Sequence, residues 1–163
     1  MTGVQTCALP ICQFDLVACR IALHQVADPA AVVREMVRVT RADGRLGIID
    51  ITADEDPAVA AEANRLERLR DPSHGRTLTV PEIHGLLAEA GAVVTRTTRR
   101  DNPLDLEDWM ERTQTPGGTR ALIRERLDRE LDGGEPTGLR PRRAPDGTVS
   151  LTHVWAAVTA TPR

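Results

Sequence analysis

Lysine and tyrosine are absent from this 163-residue sequence, and phenylalanine occurs once. Phe14, Trp109 and Trp155 are the whole aromatic set. That is too few flat faces for a base-stacking nucleic-acid platform. Arginine fills every lysine-or-arginine position, and acids outnumber it 24 to 21, for a net charge of −3. The sequence therefore lacks the basic excess that draws proteins to a phosphate backbone, and no nucleic-acid partner is expected. Arginine without lysine fits a GC-rich coding sequence. No apolar run approaches the roughly 20 residues that cross a bilayer, so no membrane span is expected. The start has neither the basic segment nor the long apolar stretch of a secretory signal, which points to a cytoplasmic protein. Three cysteines, Cys7, Cys12 and Cys19, are too few for a disulfide framework. They also lack the C-x-x-C pairing of a zinc site. With His24 nearby they still make no metal site, and no metal is expected.

What is present alternates between short apolar runs and amphipathic stretches. Phe14–Cys19 and Leu46–Ile51 read as buried strands. Asp28-Pro29 opens a helix, with Asp28 as N-cap and Pro29 in the first turn. Val32, Val33, Met36, Val37 and Thr40 share one face of it, and Asp43-Gly44 is expected to end it. Asp56-Pro57 starts a second helix that runs to about Arg70. Thr79-Val-Pro-Glu82 is a capping box, followed by Ile83, Leu86, Leu87 and Ala90 at helical spacing and by Gly91 as a C-cap. Ala92–Thr98 is a third strand, residues 102–133 hold two helical pieces, and Thr148–Thr161 is a last strand. This order is α/β, and right-handed crossovers make the first two strands parallel.

Three local features carry a family likeness. Phe14-Asp-Leu-Val, Arg20-x-Ala22-Leu-His24 and Asp28-Pro29 lead into Arg34-Glu-Met, Arg38-Val and Asp43-Gly44-Arg-Leu. Leu69-Arg70-Asp71-Pro72-Ser73-His74-x-Arg76 and Trp109-Met-x-Arg112-x-x-Thr115-Pro116 follow. In this order they resemble class I S-adenosylmethionine-dependent methyltransferases of the ubiquinone/menaquinone-biosynthesis type. Gln25 stands where that family often has a second histidine, and Ala42-Asp43-Gly44 replaces its Pro-Gly-Gly turn.

The resemblance implies a partial Rossmann-like sheet: strands four, five, six and seven of a seven-stranded sheet, the last antiparallel, with a helical substrate-covering insertion at about 102–133. It implies S-adenosylmethionine as the cofactor and a small-molecule methyl acceptor as the partner. The family's glycine-rich first turn has no match, and its three missing strand–helix units would need about 30 residues each. The opening MTGVQTCALPI resembles a translated sequencing adapter. Residues 1–12 are therefore expected to be a non-native leader, with residues 13–163 the C-terminal half of a methyltransferase domain, inactive by itself.

Carried over residue by residue, the resemblance puts Cys19, Arg20 and Ile21 at the methionine part of the cofactor. The plainer alternative is a buried cysteine and an arginine tied to a helix end. His24 lies where the methyl group is delivered, as a catalytic residue that orients the acceptor or takes its proton, or else as an ordinary loop histidine. Asp50, Asp71, Ser73, His74 and Arg76 are candidate substrate-binding residues; Asp71 and Ser73 are also good helix caps. Arg140, Arg142 and Arg143 read as a solvated loop. Two other functions stay open: a non-catalytic α/β interaction module, and a Rossmann-like nucleotide-dependent reductase.

Overall fold

The computed structural model describes residues 12–163. Cys7 and all but the last residue of the expected leader lie outside the described residues. Four long strands form one mixed sheet in the order β1-β2-β5-β3. They are β1 (Phe14–Arg20), β2 (Thr40–Thr52), β3 (Ala92–Asp105) and β5 (Val149–Pro162). A short β4 (Arg142–Arg143) pairs with the start of β5. β1 and β2 are parallel, and β5 runs antiparallel to both of its long neighbours. This is the expected mixed sheet, with the last strand reversed as expected.

One face of the sheet is packed. Leu46, Ile48, Val158 and Ala160 pack with Val33 and Met36 of α1 (Pro29–Val39) and with Ile83 and Leu87 of α3 (Val80–Glu89). The other face carries Leu16, Ile49 and Val93, all substantially exposed. A second apolar cluster joins α2 (Pro57–Arg70), α4 (Leu106–Glu111) and α5 (Gly117–Leu131) around Leu66, Trp109, Met110, Ile123 and Leu127.

Local chemistry sets the helix starts. Asp28 accepts the Ala31 N–H, and Asp56 accepts those of Ala58 and Val59, with a proline in each first turn. The capping box of α3 is closed on both sides between Thr79 and Glu82. Thr79→Ala is expected to cost about 1 kcal/mol, measurable as a lower denaturant midpoint at unchanged slope.

Two expected boundaries move. Asp43-Gly44 does not end α1, which stops at Val39. β2 has already begun at Thr40, and its pairing jumps from Phe14↔Thr40 to Leu16↔Arg45. Asp43-Gly44 is thus spent on a bulge inside the strand. A Cβ on Gly44 would come within 2.8 Å of Thr40 Cγ2, so only glycine fits there. β3 likewise continues to Asp105, so 102–105 belongs to the sheet and the helical cover begins at Leu106. Pairing with β5 holds this polar stretch extended as far as Asp105↔Ser150.

Among the described residues, no helix is long and apolar enough to cross a membrane.

Candidate active site

β1 and β2 end at the same edge of the sheet, where ligands of open α/β sheets lie. β1 leaves that edge sharply. Ile21 has φ 50°, and its N–H still bonds to Ile49 O at 2.8 Å. A β-branched residue in this region costs about 1–2 kcal/mol, and such strain gathers at functional sites. A single 3-10 turn, Leu23–Gln25, then carries His24 inward.

His24 meets the end of β2. Its Nδ1 lies 2.5 Å from Asp50 Oδ1, and its backbone N–H donates to Asp50 Oδ2 at 3.2 Å. Ile51 N–H also donates to Asp50 Oδ1 at 2.8 Å. Both side chains are buried. An imidazole that gives its Nδ1–H to a carboxylate keeps its lone pair on Nε2, which is the arrangement of an oriented base.

The loop after α2 closes over this pair. Gly75 and Arg76 both donate backbone N–H bonds of 3.0 Å to His24 O, and Leu78 bridges to Thr52 at the end of β2. The approach is tight, since a Cβ on Gly75 would lie 2.9 Å from His24 O. His74, on the same loop, thereby packs its ring 5.6 Å from that of His24, centroid to centroid.

Behind His74 lie polar groups that the sequence reading did not single out. Asn64 Oδ1 sits 3.2 Å from His74 Nε2 and accepts the Thr77 N–H at 2.7 Å. Glu67, one turn further along α2, is 4 % exposed. Arg70 and His153 reach it, each at 3.0 Å. The His153 contact is close but poorly directed, so it acts as an electrostatic contact more than as a hydrogen bond. Arg70 also stacks 4.6 Å over Trp109. A signal for these residues did exist: Asn64 and Glu67 are polar positions beside Ala63 and Leu66 on the buried face of α2.

Charge follows from this packing. Burial pushes the Glu67 carboxyl up, but the His153 contact and the charges of His153, Arg70 and His74 outweigh it. Its pKa therefore lies below the usual value. For His74, burial dominates and lowers the pKa, opposed by Glu67 and helped by the neighbouring His24, Arg70 and Arg68. Burial and the Asp50 charge together raise the Cys19 thiol, against a backbone hydrogen bond at Leu23.

The remaining candidates are engaged elsewhere. Asp71 accepts both the N–H and the hydroxyl of Ser73, making a local turn. Arg76 pairs with Glu82 at 2.7 Å. Arg20 is exposed and lies 5.4 Å over the Trp155 ring, whose Nε1 is buried without a hydrogen-bond partner. Arg140 and Arg143 are bound to Asp101 and Asp128. The structure thus gathers His24, Asp50 and His74, and it gives Asp71, Ser73 and Arg76 partners of their own. A cleft of about 400 Å³ is lined by Asn64 and Thr77, the partners of His74, and by Asp54, Arg68 and Arg76 among others, but not by His24, Asp50 or His74 themselves. A larger groove of about 540 Å³ lies away from them, lined by charges such as Glu107 and Arg124 that neutralise one another. No cluster of three metal-ligating side chains occurs among the described residues.

Residues 3–48 match the family described as "Methyltransferase domain". The chain is similar to the uncharacterized methyltransferase YcgJ of Bacillus subtilis, with 32% identity over 124 residues, 76% of this chain and 49% of that protein. It is also 32% identical over 103 residues to the uncharacterized protein YafE of Escherichia coli, covering 63% of this chain and 50% of that one. The chain spans about half the length of these curated relatives. Its fold matches the crystal structure of YcgJ with a TM-score of 0.83 at 28% identity, over 95% of this chain and 66% of that one. BH2331 of Bacillus halodurans, a candidate methyltransferase, matches with a TM-score of 0.83 at 25% identity, over 94% of this chain and 72% of that one.

Proposed function

We propose that this chain, which resembles methyltransferase domains in sequence and in fold, takes part in S-adenosylmethionine-dependent methyl transfer to a small-molecule acceptor. One observation carries the reading: the buried His24–Asp50 pair at the shared carboxyl edge of β1 and β2.

The residues at that edge fit one part of the cofactor. Cys19, Arg20 and Ile21 would lie along its methionine portion. The exposed Arg20 guanidinium and the unpartnered Trp155 indole N–H beside it are two donors suited to a carboxylate. The sequence has no glycine-rich strand-to-helix turn to cradle the adenosine side. When bound, the cofactor supplies an electrophilic methyl group.

The protein's own work is then alignment and proton handling. Alignment of acceptor and methyl group is the larger share. The Gly75–Arg76 bonds to His24 O fix the loop and the ring together. Asp50 holds the His24 tautomer, and Nε2 takes the acceptor's proton. Asp71, Ser73, His74 and Arg76 belong to the loop that covers the acceptor.

The test is photo-crosslinking with methyl-labelled S-adenosylmethionine, followed by peptide mapping. Label on the peptide spanning residues 14–25, competed by S-adenosylhomocysteine, is expected. Label confined to other peptides, or uncompeted, overturns the reading.

A further inference from the structure

One buried nitrogen in this site has no partner among the described residues. The bonding around His74 fixes which nitrogen it is and what it can accept. Thr77 N–H donates to Asn64 Oδ1 at 2.7 Å, so that atom is the amide oxygen. The amide Nδ2 donates to Ala60 O at 2.9 Å, consistent with that orientation. His74 Nε2 lies 3.2 Å from the same Oδ1 and 3.4 Å from Thr77 Oγ1, both of which can accept, so the hydrogen is assigned to Nε2. In the neutral ring the lone pair is then on Nδ1. That atom is buried and has no hydrogen-bond partner, in a side chain only 5 % exposed.

Leaving such an acceptor unpaired costs about 1–3 kcal/mol, so the position calls for a donor. Pro72 and Ser73, just before His74, are exposed, so the ring is roofed by its own surface loop. The His24 ring is 5.6 Å away, centroid to centroid.

We propose that His74 Nδ1 is the recognition point for a hydroxyl group on the methyl acceptor, so that the site takes hydroxylated small molecules. This names the acceptor class for the site proposed above and rests on that reading. A carboxylate or a fully ionised phosphate has no hydrogen to give and would set lone pair against lone pair. An ammonium would bring a cation beside Arg68 and Arg70, which already act on His74. A hydroxyl donates without adding charge. The ring is kept ready for this because burial disfavours its protonated form.

Two related probes test the idea: phenol, which can donate, and anisole, its slightly larger methyl ether, which cannot. The chain has four histidines, so their ring nitrogens are assignable by ¹⁵N NMR. Phenol is expected to move the His74 Nδ1 resonance saturably, and anisole to leave it unmoved. His74→Phe should weaken phenol binding about tenfold, the worth of one hydrogen bond. His74→Asn, whose amide oxygen falls near the Nδ1 position, should recover most of that loss. Equal responses to phenol and anisole overturn the proposal. So does a His74→Phe protein that folds and binds phenol as the parent does. So does an Nδ1 resonance already showing a bound donor in the free protein, which is the sign of a buried water. Should His74→Phe fail to fold, the phenol–anisole contrast on the parent chain decides. None of these measurements contains S-adenosylmethionine, so they fail or succeed separately from the crosslinking result.

Discussion

Glu67→Leu should lower the stability of the fold by about 3 kcal/mol, because it removes a buried carboxylate and strips the partner from a largely covered guanidinium. For a chain of this size that is a drop of about 10 °C in Tm. Arg70 would keep only the Trp109 carbonyl, at 3.3 Å, and the face of the indole. Replacing His153 by leucine in the same background should then cost little more, since its charged neighbour is already gone. A second loss as large as the first would show that His153 is held by packing against Trp109 rather than by Glu67.

The same network sets the response to acid. Glu67 titrates lower in the fold than its ordinary 4.5. Its contribution is therefore present above that value and is lost as pH falls through the lower folded pKa. His74 is likewise depressed below its ordinary 6.5. The unfolded chain takes up that proton first, so stability begins to fall below about 6.5. Thermal melts across pH should show two stages of acid destabilisation. Glu67→Leu should remove its share of the lower stage. It should widen the upper one, because Glu67 is the charge that holds the His74 pKa up.

In a protein that carries the whole methyltransferase domain, Asp50→Asn should slow the proposed methyl transfer about hundredfold and leave S-adenosylmethionine crosslinking unchanged. Asp50 accepts from three N–H groups: the His24 ring, the His24 backbone and Ile51. An amide presents one oxygen and one NH₂. In either orientation at least one donor faces another. If the imidazole adapts by moving its hydrogen to Nε2, the lone pair meant for the acceptor is lost. The stability cost should be about 1–3 kcal/mol. A variant that loses stability to this extent but keeps its transfer rate would make Asp50 a structural anchor for the loop.

The sequence was legible where a few neighbouring residues decide the outcome. Asp28-Pro29, Asp56-Pro57 and Thr79-x-x-Glu82 begin their helices as read, because capping acts within one turn. It was less legible where pairing overrides local preference. Asp43-Gly44 has the chemistry of a helix stop, yet β1 and β2 use it as a bulge. Arg99-Arg100-Asp101-Asn102 has no strand pattern, because it lies on an outer strand with little apolar burial, and β5 keeps it extended. His24 was readable as a site residue, but its bond to Asp50 was not, because the two stand 26 positions apart and meet only through the sheet. Glu67 and His153 are farther apart still, and nothing local joins them. The strand order was readable only through the family resemblance.

β5 is the seam of the sheet. It lies between β2 and β3, yet it is made after every other described element. Leu46 must wait for Ala160, and Ala92 for Pro162. On the ribosome, β2 and β3 therefore emerge with an apolar flank open between them and no strand yet available to fill it. Contacts so distant in sequence slow folding. Such open flanks are where nascent chains meet chaperones or one another. A ribosome stall before Val149 should leave a species that recruits chaperones strongly, whereas release after Pro162 should let the sheet close in one step.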